Sequence, residues 1–250
     1  MFAECSLVLV YIDDHLCKLN IDVRLSKEIM TSLTKRCVAE FAGTLTLVAV
    51  VVGSGIMGTN LTHDTAVALL VNMFSTVFAL GLLVYLLGPI SGAHFNPIVT
   101  TAFWMRKSLN TVDTVMYTVA QIIGAIAGAL LANSMFDLNP FQTSTHVRSS
   151  AGLWIGEVVA SAGLVAVIFT LVDRGTTNII PIAAPVWIGS AYLFTSSTSF
   201  ANPAVTIGRI FSNTFAGIAP ASVGAFVVAQ FFGAAIGIGI AKSLTIAKEL

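Results

Sequence analysis

Two short stretches of this chain place chemistry-bearing residues where their surroundings are otherwise apolar. The first, "SGAHFNPIVTTAFW", runs from Ser91 to Trp104, and the second, "SFANPAVT", surrounds Asn202. Each contains an Asn-Pro step, Asn96-Pro97 and Asn202-Pro203. Proline suits the first position of a helix, where its missing N–H costs nothing and its fixed φ fits. Asparagine just before it caps the helix, its side-chain oxygen accepting an otherwise orphaned N–H. That leaves amide NH2 hydrogens to face whatever lies in front. Two such helix N-termini meeting at one point would join two positive dipole ends to two hydrogen-bond donors. A site of that kind accepts a neutral solute's lone pair and repels cations, protons included. It binds and conducts; it performs no covalent chemistry.

The elements that must position these steps are membrane-crossing. Of the 250 residues, 56% are hydrophobic and 10% charged, against about 25% charged in a soluble domain, and the mean hydropathy is +0.90. Apolar segments lie near 38–58, 65–87, 113–133, 151–172, 178–196 and 220–245, each close to the ~20 residues that cross a bilayer. A shorter segment starts at each Asn-Pro, Asn96 to about Met105 and Asn202 to about Ser212. At ~1.5 Å per residue each spans about half a membrane. The predicted fold is all-α and polytopic, with six transmembrane helices and two re-entrant half-helices.

The chain also repeats itself. "AEFAGTL" around Glu40 is echoed by "GEVVASA" around Glu157, and "AQIIGAIAG" (Ala120 to Gly128) by "AQFFGAAIG" (Ala229 to Gly237). With three full spans per copy, the second copy enters the membrane upside down, an inverted repeat of about 34–135 and 150–245 within a domain of 34–250. Basic residues set the orientation. With both termini cytoplasmic, Lys18, Arg24, Lys27, Lys35, Arg36, Arg106, Lys107, Arg174, Lys242 and Lys248 fall inside, Arg148 alone in an outer loop and Arg209 in the second half-span. A cell-membrane, multi-pass protein is expected.

Several function classes drop out. The formal charge is zero, so no basic surface awaits nucleic acid. The three cysteines, Cys5, Cys17 and Cys37, have no disulfide or zinc spacing, and His15-Leu16-Cys17 reads as an incidental polar segment. Neither metal nor cofactor is expected. Four scattered histidines form no nucleophile–base pair or metal cluster, so an enzyme is not expected. Residues 1–33 contain one apolar piece, Leu7 to Ile12, too short to span. They lack a signal peptide's basic start. They read as a cytoplasmic extension without an assigned role, and Met30 is an alternative start.

On "SGAHFNPIVT", "SFANPAVT", Glu40, Glu157, Gln121 and Gln230, the chain resembles the aquaporin (major intrinsic protein) family over about residues 34–245. The resemblance implies two half-helices meeting at a pore centre of Asn96, Pro97, Ile98, Asn202, Pro203 and Ala204, and a homotetramer in lipid with one pore per subunit. It implies that Glu40 and Glu157 hold the re-entrant loops, with a proton relay as the rival role. Gln121 and Gln230 brace helices, and the Gly124/Gly128 and Gly233/Gly237 pairs allow close helix approach. His94 resembles the family's pore-lining histidine; bracing its loop is the other reading, and the two are compatible.

The chain departs from the family pattern at the outer mouth. Val205 stands where most members have arginine, and Ile98 stands where alanine is usual. Gapless spacing puts the other filter positions at Thr76, Ser190 and Ser199. These small side chains predict a wide mouth, and the lost guanidinium removes five donors and a charge. Arg209, one turn beyond Val205, reads first as a snorkelling interfacial arginine and second as a substitute charge in the outer vestibule. "NPAVTIGR" resembles a bacterial, metalloid-linked branch of aquaglyceroporin-like members. The expected function is passive passage of small neutral polar solutes: water, glycerol, urea and, on the resemblance alone, arsenous acid. A secondary active transporter is the alternative, although it would place a coupling-ion carboxylate beside the site.

Overall fold

Among the described residues, eight α-helices follow the sequence pattern: α1 (Phe2–Leu61), α2 (Thr65–Ser91), α3 (Pro97–Met105), α4 (Thr111–Met135), α5 (Ala151–Asp173), α6 (Ile180–Phe194), α7 (Pro203–Gly208) and α8 (Pro220–Leu244). The computed structural model describes residues 2–245, with side chains from residue 32 onward. The side chains of the N-terminal extension, His15 and Cys17 among them, lie outside the described residues. The chain divides into two compact units, Met1–Arg36 and Cys37–Leu250. Among the described residues, six helical segments are long and apolar enough to cross a membrane: Ser32–Leu61, Thr65–Ser91, Thr111–Met135, Ala151–Asp173, Thr177–Phe194 and Pro220–Leu244.

Capping residues set where the helices begin. The Asp64 carboxylate accepts from the N–H of Ala66 and Val67, Asn110 from Asp113 and Ser150 from Leu153. Each satisfies donors that the first helical turn leaves orphaned. Apolar residues remain exposed all along the outer faces, such as Phe78, Leu82 and Tyr85 on α2 and Val228 and Phe232 on α8. A lipid-facing surface needs that composition, and a water-facing one would not tolerate it.

The two halves pack by the same device. A Cβ on Gly128 would fall on the Leu45 carbonyl oxygen of α1, and one on Gly237 would lie 2.4 Å or less from that of Ala162 in α5. Thus α4 lies on α1, and α8 on α5, backbone to backbone, as the small-residue spacing predicts. Helices α2 and α6 join the halves. The half-helix α7 rests against α4 and α8, and α3 against the same pair. The second half-span is shorter than expected as an α-helix: it tightens into a 3-10 turn at Arg209–Phe211.

Among the described residues, Arg106, Lys107, Arg174 and Lys242 follow or close α3, α5 and α8 at one end. Arg106, just past α3, makes a bidentate ion pair with Asp173 at the end of α5, at 3.0 and 2.6 Å, and Thr245 beyond α8 donates to the same carboxylate. Arg148 lies at the opposite end, on the α4–α5 connection.

Candidate functional site

The site is built by two loops that no regular helix or sheet stabilises. Residues 92–96 and 198–202 each carry three left-handed residues at matching places: Gly92, Ala93 and Phe95 (φ +87°, +50°, +50°) and Thr198, Ser199 and Ala201 (φ +60°, +50°, +44°). A non-glycine residue held there costs about 1–3 kcal/mol, so something must hold it. That something is a buried carboxylate in each half. Glu40 accepts from Ser91 Oγ (2.6 Å), His94 N (2.9 Å), Phe95 N (2.7 Å) and Gln121 Nε2 (2.7 Å). Glu157 accepts from Phe200 N and Ala201 N (both 2.9 Å) and Gln230 Nε2 (2.6 Å). Both glutamates are fully buried. Every carboxylate oxygen accepts from a backbone N–H of its loop.

Two threonines complete these networks. Gln121 Nε2 also donates to Thr100 Oγ1, and Gln230 Nε2 to Thr206 Oγ1, both at 2.9 Å. Sequence reasoning assigned them no role, although both motifs end in the same threonine four residues after asparagine. Thr206 Oγ1 also donates to the Asn202 carbonyl, so each glutamate network reaches the half-helix it supports.

The asparagines cap their half-helices and also cross-link them. Asn96 Oδ1 accepts from Ile98 N (3.1 Å), and Asn202 Oδ1 from Ala204 N and Val205 N (2.9 and 3.2 Å). Asn96 Nδ2 donates to the Ala201 carbonyl and Asn202 Nδ2 to the Phe95 carbonyl, each at 2.8 Å. The amides are therefore not wholly free. Each NH2 has two hydrogens; one is used on the opposite loop, and the other has no acceptor among the described residues. Pro97, Ile98, Pro203 and Ala204 are buried in the packing behind the asparagines and do not line the cavity. Ile98 belongs to an apolar cluster with Leu164, Val165 and Ile188, so this change from the family pattern lies in the core and not on the pore wall.

A cavity of about 100 Å³ runs past both asparagines. Towards the Arg106 end it is lined by Val84, Phe103, Ile168 and Ile180, and at mid-depth by Asn96, Asn202, Ala201 and Leu164. Towards the Arg148 end stand Thr76, Tyr192, Ser199, Phe200, Val205 and Arg209. His94 lines it as well, with Nδ1 3.1 Å from Thr100 Oγ1 and its ring stacked on Phe103 at 4.6 Å between centroids. It lines the cavity and braces its loop at once.

The mouth corrects two sequence-based expectations. Ser190 does not line the cavity: it is on the exposed face of α6, its hydroxyl donating to the Val186 carbonyl. Ile188 and Tyr192 occupy the inward face of α6 instead, and Tyr192 Oη approaches Thr76 Oγ1 at 3.5 Å. The α6 side of the mouth is thus aromatic, not small. Nor does Arg209 snorkel. It is 3% exposed, its Nε donates to the Ala216 carbonyl, and its guanidinium stacks on Phe200 with Cζ 3.3 Å from the ring centre. Ser199 Oγ, in the cavity wall, is buried without a hydrogen-bond partner, an acceptor and donor left for a transient guest.

Comparison with known proteins identifies the family. The family model for the major intrinsic protein (MIP) matches residues 28–200. An aquaglyceroporin, AqpS, of Rhizobium meliloti is 48% identical over 212 residues, covering 85% of this chain and 91% of the relative. Aquaporin TIP1-2 of Musa acuminata is 31% identical over 70% of this chain and 73% of its own length. The X-ray structure of the aquaglyceroporin from Plasmodium falciparum superposes with a TM-score of 0.64 at 17% identity, covering 83% of this chain and 94% of that one, which speaks to the fold alone. The chain belongs to the major intrinsic protein family: it is a multi-pass membrane channel that passes water and small solutes passively, and it is not an enzyme.

Proposed function

We propose that the channel passes small, neutral, hydrogen-bonding solutes larger than water, namely glycerol, urea and arsenous acid, alongside water itself. The observation that carries this reading is the cavity's two-sided wall. Leu164, Ile168, Ile188 and Val205 offer apolar surface, while Asn96, Asn202, Ser199 and Thr76 offer polar atoms to the same lumen. A polyol presents both kinds of surface, and a pocket of mostly apolar wall with few placed polar groups suits it. At the mouth Val205 lines the cavity together with Thr76 and Tyr192, and the arginine there, Arg209, lies four residues further along the chain. The residues doing the work are Asn96 and Asn202 at the centre, His94 on one side, and Thr76, Tyr192, Ser199 and Val205 on the other. Glu40, Glu157, Gln121 and Gln230 keep the loops in place. A homotetramer in the cell membrane, with both termini cytoplasmic, follows from the family resemblance and the basic residues clustered at the Arg106 end.

Proteoliposome swelling across water, glycerol, urea and arsenous acid tests the solute range. Flux of all four, unaffected by proton or sodium gradients, is expected. Water flux alone, or uptake that needs an ion gradient, contradicts the reading.

Asn202→Asp tests the centre. Aspartate keeps the cap but replaces the donor to the Phe95 carbonyl with a second oxygen, and brings negative charge to the point where two dipole ends exclude cations. Solute flux should fall about tenfold, equivalent to ~1.4 kcal/mol in barrier, or a cation leak should appear in liposomes. Unchanged flux with unchanged cation exclusion would remove Asn202 from the centre.

Residues 1–33 supply neither a span nor a site. A chain starting at Met30 should insert, assemble as a tetramer and conduct as the full chain does. Loss of the tetramer on native gels would show that the extension docks.

A further inference from the structure

Two arginines that the sequence set far apart meet at the α4–α5 end of the pore. Arg148 Nε donates to the Gly217 carbonyl (2.9 Å) and Nη2 to that of Phe215 (3.3 Å), while Arg209 Nε donates to Ala216 between them. Three consecutive carbonyls therefore hold both guanidinium groups. Both cations also lie on one ring: Cζ of Arg209 is 3.3 Å and Cζ of Arg148 5.2 Å from the centre of Phe200.

These arginines line a second cavity of about 310 Å³, with Thr65, Asn72, Thr198 and Phe215. Arg209 lines the main cavity too, so its side chain is common to the pore and to this second cavity, or vestibule. Among the described residues neither arginine forms an ion pair. Glu157 sits in the support of the same loop, but its oxygens accept from Phe200, Ala201 and Gln230. Nη1 of Arg148 and both terminal nitrogens of Arg209 donate to no described protein acceptor. Two like charges against one ring repel, and the nearby Glu157 carboxylate offsets them only through space, its oxygens being committed to other donors. Guanidinium forks match the paired oxygens of a tetrahedral oxyanion, and partial withdrawal from water strengthens such bonds.

We propose that this vestibule binds a small free oxyanion of the phosphate and arsenate class, and that the bound ion caps the mouth and slows neutral solutes. The capping half rests on the channel reading above; the binding half does not. The vestibule shares Arg209 with the pore mouth, and its walls are the first two turns of α2 and connecting residues of the same chain, so a dissolved anion is its occupant. Lipid headgroups are present in every liposome arm and cancel.

Inorganic phosphate is the probe. Purified full-length protein in uncharged detergent should show a saturable rise in thermal midpoint with phosphate, and no comparable rise with sodium chloride at matched ionic strength. Arg148→Gln and Arg209→Gln should each weaken the apparent affinity at least tenfold. Arg148→Lys, which keeps the charge but loses the fork, should weaken it severalfold and covers the case in which a glutamine variant does not fold. In proteoliposomes, saturating phosphate should at least halve glycerol flux of the parent protein. No saturable shift in the parent, or an unaltered affinity in every folded arginine variant, overturns the site. A shift without slowed flux overturns the cap. Should the protein conduct no glycerol, water flux with and without phosphate gives the same comparison, and the thermal arm stands by itself.

Discussion

Val205→Arg should cut glycerol and arsenous acid flux at least tenfold and water flux much less. Val205 is 5% exposed and shares the mouth with Thr76, Tyr192 and Ser199. Tyr192 Oη already approaches Thr76 Oγ1 at 3.5 Å, so the opening is bounded on that side by an aromatic ring. A guanidinium added opposite must enter the lumen, because the wall behind Val205 is filled by α4 residues Ala125 and Ala129. It would also come one turn from Arg209, adding charge repulsion to the steric loss. Solutes that fill the mouth lose most; water still passes and bonds to the new donors. About 1.4 kcal/mol of added barrier gives the tenfold loss. Stopped-flow swelling with equal protein per liposome measures it. Equal loss for water and glycerol would mean a closed or misfolded pore. No loss for glycerol would mean that Val205 is not at the constriction.

Glu40→Gln and Glu157→Gln should each abolish most conduction by loosening the re-entrant loops. The amide is nearly the same shape, so the effect isolates hydrogen bonding. One carboxylate oxygen becomes an NH2 facing N–H donors, and a buried donor left without its acceptor costs about 1–3 kcal/mol. Each carboxylate is served by two backbone N–H groups, one glutamine and one serine, Ser91 at Glu40 and Ser197 at Glu157, so the two variants should lower the thermal midpoint by comparable amounts. The left-handed residues of each loop then lack the contacts that hold them, and their strain favours other conformations. Thermal midpoints in detergent and flux in liposomes check both statements. Midpoints within a degree of the parent would mean that the loops are set by packing instead.

The spans and half-helices were legible because each is encoded locally. Run length gives the crossings, an Asn-Pro step gives each half-helix its cap, and glycine pairs give the close helix contacts. Repetition made the glutamates and glutamines legible, since each marker occurs twice in the same order. The mouth was harder. An α-helix turns about 100° per residue, so a shift of two positions, from Ser190 to Tyr192, carries a side chain to nearly the opposite face. The segment between α6 and Asn202 contains left-handed residues that consume chain without the advance a simple spacing assumes. Counting backwards across it loses the register. Arg209 was placed on the correct face of its half-helix, but the chain's return past Phe215–Gly217, which buries it, leaves no periodic trace. Arg148 sits in an irregular connection, where sequence gives charge but not direction.

The reciprocal asparagine bonds have a consequence for biogenesis. The partners Asn96 and Ala201 are separated by 105 positions, and Asn202 and Phe95 by 107. While the chain is being made, the first loop can enter the bilayer with its glutamate, glutamine and threonine all present, since these belong to the same half. Its Phe95 carbonyl has no partner until residue 202 has emerged and folded back. An unsatisfied carbonyl in hydrocarbon is costly, so the first half must wait as an incomplete, water-exposed or loosely inserted intermediate. The second half then supplies the missing partners, and the pore is complete only when α8, which carries Gln230, has packed against the second loop.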